Sequence, residues 1–549
     1  MRLSDVGPAP TTPTDPNPHG TVQRGLGTTP SSSSTMAGRF GRMFGQVPVY
    51  EQRAESLVEL GGRMVQGLED GKLDKPLGRE DDDENTSKLD GELRLPAGYT
   101  YFGQFVDHDI TFDPVSSLVR QNDPNALRDF RSPSFDLDSL YGSGPADQPY
   151  LDDPDGVHLA LGEERSQDPR LRGPGLPRGP GERAIIGDPR NDANLIVSQL
   201  QVAFLLFHNR VVDRVAADHP QLGPTDVFKL AQQQVRWHYQ WTVIHDYLQR
   251  LVGDDVIADI LRPEKYVAHC GLYSVPRDRR LFYLWKRVPF MPVEFSVAAY
   301  RFGHSMARPS YVINDDIQLP VSDIANRIPL LSQTEDPRQS LNGFHTLPQD
   351  YGIQWKYLLP DTNDDPGPND AHLPQPSYRL DAEISFPLGA LPDSVAEPEE
   401  IVPGQPPAIA QSLPVRNLIR GLRQGLPSGQ GVARAMGITP LDDGKLLDDL
   451  DLSDRTRKDL SGAAPLWYYV LKEADVSADG AHLGPVGGRI VAEVLIGLLS
   501  GDPLSYLSVD PAWTPTLPSR IKGTFTLTDL VNFAKPAPDA PELAPRYVP

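Results

Sequence analysis

Residues Tyr101–Pro114 read YFGQFVDHDITFDP. Neighbouring residues on a helix are splayed by roughly 100°, so a His108 that faces a pocket sends Asp107 and Asp109 to either side of it. Gln104, four residues earlier, shares the His108 face. One turn thus offers a titratable imidazole, an amide beside it and two carboxylates aimed at different places. A solvated acidic turn with a surface histidine fits the same letters.

Further along, Arg131–Gly144 reads RSPSFDLDSLYGSG, in which Ser132, Ser134, Asp136 and Asp138 alternate. An extended loop would direct their oxygens, main-chain carbonyls included, to one side, as a hard cation such as calcium requires; ordinary turn chemistry uses the same residues. GDPRND (Gly187–Asp192) sets Arg190 just ahead of a long apolar stretch. A guanidinium there can stabilise a developing anion or pair with a surface carboxylate. AYRFGHSMAR places Arg301 three before and Arg308 four after His304, on one helical stripe, with Gly303 open to a flat ligand. The alternative for His304 is a satisfied core histidine.

Hydrophobic periodicity predicts helices over about 193–217, 224–251 and 293–306, and again over 488–499. The first is apolar on nearly all faces, as a buried helix is. Between 333 and 406 Pro, Asp and Asn recur without a sustained period. Strand-like alternation is scarce, so the class is mainly α with long irregular loops and little β.

Hydrophobic residues make up 39% of the 549, enough for a substantial core, while 56 prolines and 47 glycines predict long connections. The net charge of −22 sets the average field against nucleic acid and anionic lipid. With a single cysteine, Cys270, no intrachain disulfide can form. The first residues lack the apolar core of a signal peptide, and no run reaches the roughly 18 apolar residues of a membrane span. The expectation is a soluble protein, cytoplasmic or non-classically secreted. Residues 1–35, rich in Pro, Ser and Thr, are expected to be a disordered arm, residues 36–94 an extension wrapping the core, 95–535 one catalytic domain and 536–549 a tail. Order is expected to begin near Leu95.

In this order, GQFVDHD, FDLDSLYGS, GDPR before a helix ending FHNR, YRFGH and NLIRGLRQGLP (Asn417–Pro427) resemble the motifs of the animal-type haem peroxidases, the superfamily of myeloperoxidase and peroxidasin, in a bacterial form. The resemblance covers about 95–507 and implies a large single-domain haem peroxidase fold. It implies haem b and calcium as cofactors, and reduction of hydrogen peroxide via a ferryl intermediate. The reductants it implies are small anions (iodide, bromide, thiocyanate) or phenols. It makes His108 the distal base, Arg190 the group that stabilises the departing oxygen, and Gln104 the distal amide. His304 becomes the proximal iron ligand, Asn417 the acceptor of its other ring proton, and Arg301 a cofactor-binding neighbour. Asp109, Ser132, Ser134, Asp136 and Asp138 become the calcium ligands, Ser134 through its carbonyl. Asp107 matches an ester-forming aspartate.

The sequence departs from the family at two places. The second ester position is Ala193 and the haem-linked methionine of myeloperoxidase is Asn194, so at most one ester is expected and chloride is not an expected substrate. Two rival readings remain: a fatty-acid dioxygenase on the same fold, against which Arg301 occupies the radical-tyrosine position with Tyr300 one residue off register, and a non-catalytic calcium-stabilised binding protein.

Overall fold

The computed structural model describes residues 38–535 apart from 66–67, 70–71, 74–87, 90–91, 94, 164–170, 172, 269–270, 287, 318–326, 334–335 and 365–373. The expected arm and tail, and the acidic run 80–84, lie outside the described residues. Ordered elements begin well before Leu95. β1 (Gly38–Gly41) pairs antiparallel with β2 (Arg128–Asp129) and parallel with β5 (Met291–Pro292), and α1 (Ala54–Arg63) packs on α5 (Leu413–Arg423). The reason is burial: Phe44, Leu57 and Leu60 are in the core, and the buried Glu294 carboxylate accepts N–H from Met43 at 2.9 Å and Phe44 at 3.0 Å.

At the centre lies α3 (Leu195–Asp218), apolar on nearly all sides and capped by the Asn194 side chain, which accepts from Val197 N–H. It is long and apolar enough to cross a membrane by length and composition, but 83% of its most apolar window is buried inside the fold. Against it pack α2 (Gly98–Ile110), α4 (Pro224–Thr242) and α8 (Leu527–Ala534). Phe105 of α2 stacks on Phe204 of α3 at 4.3 Å, and Tyr239 of α4 meets both rings edge-on. Gly103 lets α2 approach closely, since a Cβ there would sit 2.1 Å from the Tyr247 hydroxyl. Beyond Thr242 the chain continues through a π-helical turn to Leu251.

Two long strands went unread in the sequence: β3 (Leu261–Ala268) and β4 (Gly271–Asp278) form an antiparallel hairpin in register from Leu261↔Asp278 to Ala268↔Gly271. Prolines at 263 and 276, opposite one another, hide the alternation. The segment expected as one regular helix over 293–306 is three pieces: a π-helical turn at Glu294–Ala298, a 3-10 turn at Ala299–Phe302 and an α-turn at Gly303–Met306. Beside it run α6 (Leu466–Ala478) and α7 (Pro485–Gly501).

Candidate active site

A cavity of about 1150 Å³, open mouth included, is lined by Gln104, Asp107 and His108 from α2 and by Tyr300, Arg301, Gly303 and His304 from the broken segment. His108 and His304 therefore share one cavity. Asp107 faces into it while Asp109 does not, as the splay of successive residues requires. Arg308 leaves the His304 stripe, because the chain becomes extended at Ala307; its guanidinium lies over Tyr378 instead.

Each imidazole is held through Nδ1 by an asparagine. On the α2 side, Asn191 Oδ1 lies 2.7 Å from His108 Nδ1, and Asn191 Nδ2 donates to Gln201 Oε1 at 2.8 Å. That second bond fixes which end of the Asn191 amide is oxygen, so Nδ1 of His108 carries the proton and Nε2 is left as a bare lone pair. Burial, then the charge of Arg190, lowers the His108 pKa to about 4, so the ring is neutral at pH 7. Asn191 was not singled out in the sequence; its only signal was a polar residue directly after Arg190 at the mouth of an apolar helix.

Opposite, Asn417 Nδ2 lies 2.7 Å from His304 Nδ1, and Asn417 Oδ1 accepts from Arg301 Nη1 at 3.0 Å. This reverses the expected polarity, in which Asn417 accepts the ring proton. A guanidinium has only donors, so Arg301 draws the amide oxygen and the NH₂ turns to the imidazole. Burial, then Arg301, lowers the His304 pKa to about 3, which leaves the ring neutral; with Nδ1 accepting, its proton sits on Nε2, so ligation of a metal through Nε2 requires the Asn417 amide to turn over or that proton to leave. Arg301 is itself buried, and burial, then Arg420, brings its pKa down to about 10.

Arg190 also stands elsewhere than expected. It was expected to reach over the cavity, yet it is not among the lining residues. Its Nη2 donates to the carbonyls of His108 (2.9 Å) and Thr111 (2.7 Å) and to Asp188 (2.7 Å), and its plane covers Phe112 at 4.5 Å. The cause is Asp188, a fully buried carboxylate that also takes Arg131 Nη2 at 2.5 Å. Burial works against its charge, but Arg190 and Arg131 outweigh that and hold the carboxyl well below the usual range. In this arrangement Arg190 acts on His108 from behind, through the backbone and the field.

Gln104 Oε1 accepts from Asn194 Nδ2 at 3.0 Å, and since Asn194 Oδ1 is committed to capping α3, Gln104 turns its oxygen away and keeps its NH₂ for the cavity. Asp107 Oδ1 accepts from Thr111 Oγ1 at 3.0 Å. Ala193 lines the wall with a methyl group only. The remaining walls are apolar, among them Met306, Leu330, Leu388, Leu391 and Leu413, and a Cβ on Gly303 would meet nothing within 4 Å. Two neutral imidazoles, apolar walls and a buried arginine fit a flat, mostly apolar cofactor with anionic edges. His304 could ligate its metal, and Asp107 and Arg301 could hold its rim.

Behind α2, carboxylate oxygens of Asp109, Asp136 and Asp138 lie within 4.8 Å of one another. Ser132 Oγ donates to Asp136 at 2.9 Å, whereas Ser134 Oγ turns away to Asp502 at 3.2 Å. Asp138 Oδ1 is buried without a hydrogen bond, with Arg131 Nη1 at 3.5 Å. Burial, then Asp136 and Asp138, pushes the Asp109 carboxyl far up, and burial drives that of Asp138 up to about 7, with Arg131 opposing and Asp136 adding. Three acidic groups facing one arginine that is shared with Asp188 call for a cation or for protons. A carboxyl with a raised folded pKa costs stability above that pKa and costs nothing below its unfolded pKa near 3.8. A cation held by this cluster is therefore expected to stabilise the fold by about 2.7 kcal/mol at a hundred times its Kd at pH 8 and by little at pH 5, read as the shift in melting temperature on adding calcium. Equal shifts at both pH values would remove the cluster as a cation site.

The family model described as animal haem peroxidase matches residues 123–349, a span that holds Arg190 and His304, starts after His108 and stops before Asn417. That match covers less than half of the chain, which over this span is similar to the animal haem peroxidases. The family implies haem and oxidoreductase chemistry. Curated relatives include Dual oxidase of Drosophila melanogaster (24% identical over 131 residues, 24% of this chain and 7% of that protein). Another is Heme peroxidase 2 of Caenorhabditis elegans (28% over 123 residues, 22% and 16%). The matched stretches thus span a small part of those relatives. In fold the chain is similar to Peroxidase A from Dictyostelium discoideum, with TM-score 0.52, 14% identity and 90% and 92% of the two chains covered. The fatty acid alpha-dioxygenase of Oryza sativa is similar too, with TM-score 0.52, 13% identity and coverage of 84% and 76%.

Proposed function

We propose that this protein is a haem-dependent peroxidase that reduces hydrogen peroxide and oxidises a small donor. The observation that carries the reading is the pair of neutral imidazoles in one cavity, each tied through Nδ1 by an asparagine, with Nε2 of His108 left as a lone pair. In this reading His304 holds the iron. His108 Nε2 takes a proton from one peroxide oxygen and gives it to the other as the oxygen–oxygen bond breaks, so that water leaves. Haem, when bound, supplies the electrons for that cleavage and recovers them from the donor. Gln104 orients peroxide or a small anion, and Arg190 sets the position and basicity of His108. Calcium at Asp109, Asp136 and Asp138, with Ser132 and the Ser134 carbonyl, holds the turn that carries His108. Iodide, bromide, thiocyanate and phenols are the proposed donors.

The deciding experiment is a visible spectrum of haem-loaded protein titrated with peroxide, with iodide, bromide and a phenol offered in turn. A spectrum that peroxide leaves unchanged would overturn the proposal. Asn191→Ala is expected to slow the peroxide reaction about tenfold, the value of one buried hydrogen bond that sets a tautomer; an unchanged rate would mean that Asn191 does not orient the base.

A second reading, fatty-acid dioxygenation, is favoured by one observation. Tyr300 lines the cavity after all, its hydroxyl 3.4 Å from both Tyr247 Oη and the Gly103 carbonyl. Oxygen uptake with an unsaturated fatty acid and no peroxide, abolished by Tyr300→Phe, would establish it; no uptake would eliminate it.

A further inference from the structure

Charge averaged over the chain argues against anionic surfaces, yet one segment reverses it. Residues 277–287, RDRRLFYLWKR, hold five basic side chains (Arg277, Arg279, Arg280, Lys286, Arg287) against one acidic one, Asp278, in a chain of net charge −22. Within the same stretch Leu281 is 61% and Leu284 64% exposed. Single exposed leucines are ordinary, but these two are held outward by construction. The buried carboxylate of Glu493, on α7, accepts N–H from Leu281 (2.9 Å), Phe282 (2.7 Å) and Tyr283 (2.8 Å). Tyr283, between the two leucines, is fully buried. Trp285 lies half-buried against α7, where a Cβ at Gly501 would come within 2.9 Å of its ring, and Arg280 covers its face at 3.7 Å. Arg279 and Lys286 are exposed on either side of the leucines. Residues 279–286 thus form a platform with two leucines at its surface, an indole at its edge and Arg279 and Lys286 beside them.

We propose that this platform docks the protein on an anionic lipid surface, with Leu281 and Leu284 entering the headgroup region and Arg279 and Lys286 meeting lipid phosphates and carboxylates. Apolar residues beside Trp and Lys/Arg are the composition that settles at a bilayer interface. Each basic residue near an anionic leaflet contributes on the order of fivefold in partitioning. A second copy of the chain is disfavoured as occupant, because joining two such faces would oppose like charges. The rest of the chain is net acidic and is repelled by the same lipid, whereas this segment is net basic.

The test is co-sedimentation of the full chain with vesicles of phosphatidylcholine alone and of phosphatidylcholine with phosphatidylserine in equal parts, at low and high salt. Wild type is expected to pellet with the mixed vesicles only, and less at high salt. Leu281→Glu with Leu284→Glu is expected to weaken partitioning at least about tenfold. Lys286→Glu, a change at an exposed position that leaves the Glu493 contacts intact, is expected to weaken it at least about fivefold. Wild type remaining in the supernatant with both vesicles, or variants that pellet like wild type, would overturn the proposal. So would concentration-dependent self-association of the free protein that the leucine variant abolishes, since the platform would then be a dimer face.

Discussion

His304→Ala protein is expected to emerge from haem loading and gel filtration without stoichiometric haem, its affinity reduced by more than about a hundredfold. That figure is the upper end of what losing an outer partner of a ligand costs, and here the ligand itself is removed. The rest of the proximal wall should survive: Asn417, Arg301 and Trp467 belong to separate elements, and the Trp467 indole donates to the Arg301 carbonyl at 3.1 Å without involving the imidazole. Loss of haem with an unchanged melting temperature of the haem-free protein would therefore report the bond and not the fold. Added imidazole, entering the space the side chain vacates, is expected to restore part of the binding. Full haem retention with an unaltered spectrum would mean that the iron is held elsewhere, and the reading of the cavity would fail with it.

How much of this was readable from the letters can be seen at three places. The long central helix was legible because its signal is local and redundant: nearly every face is apolar over about six turns. The segment around His304 was legible in content and not in shape. Phe295 and Tyr300, five residues apart, stack at 4.6 Å, the spacing of a π-helical turn. A search at 3.6 residues per turn misplaces Tyr300, and the structure returns it to the cavity wall. Arg190 was legible as a charge and not as a direction. Its orientation depends on Asp188 and Arg131, and the latter lies 57 residues from Asp188 in the chain, so no local pattern could place the guanidinium behind His108 rather than above the cavity. The approach of Asp136 and Asp138 to one another could be read because they stand two apart in one alternating run, whereas the contact of Ser134 with Asp502, 368 residues away, could not.

The second large effect concerns the base. His108→Ala is expected to retain haem and to react with hydrogen peroxide about 10² to 10⁴ times more slowly, the usual contribution of a positioned general base, or about 3 to 5 kcal/mol of barrier. The pH profile separates this from a packing defect. Because burial and then Arg190 lower the His108 pKa to about 4, the wild-type ring is already deprotonated at pH 6. Its rate should stay level from about pH 8 to pH 5 and drop only as pH falls through about 4. The alanine variant has no such group and should lose that limb, so that the two rates converge at low pH. An ordinary histidine would instead lose its base below about pH 6.5. Stopped-flow rates across that range decide the matter: a wild-type break near 6.5, or a variant that keeps the break near 4, would transfer the proton chemistry to another residue and leave His108 as a wall of the cavity.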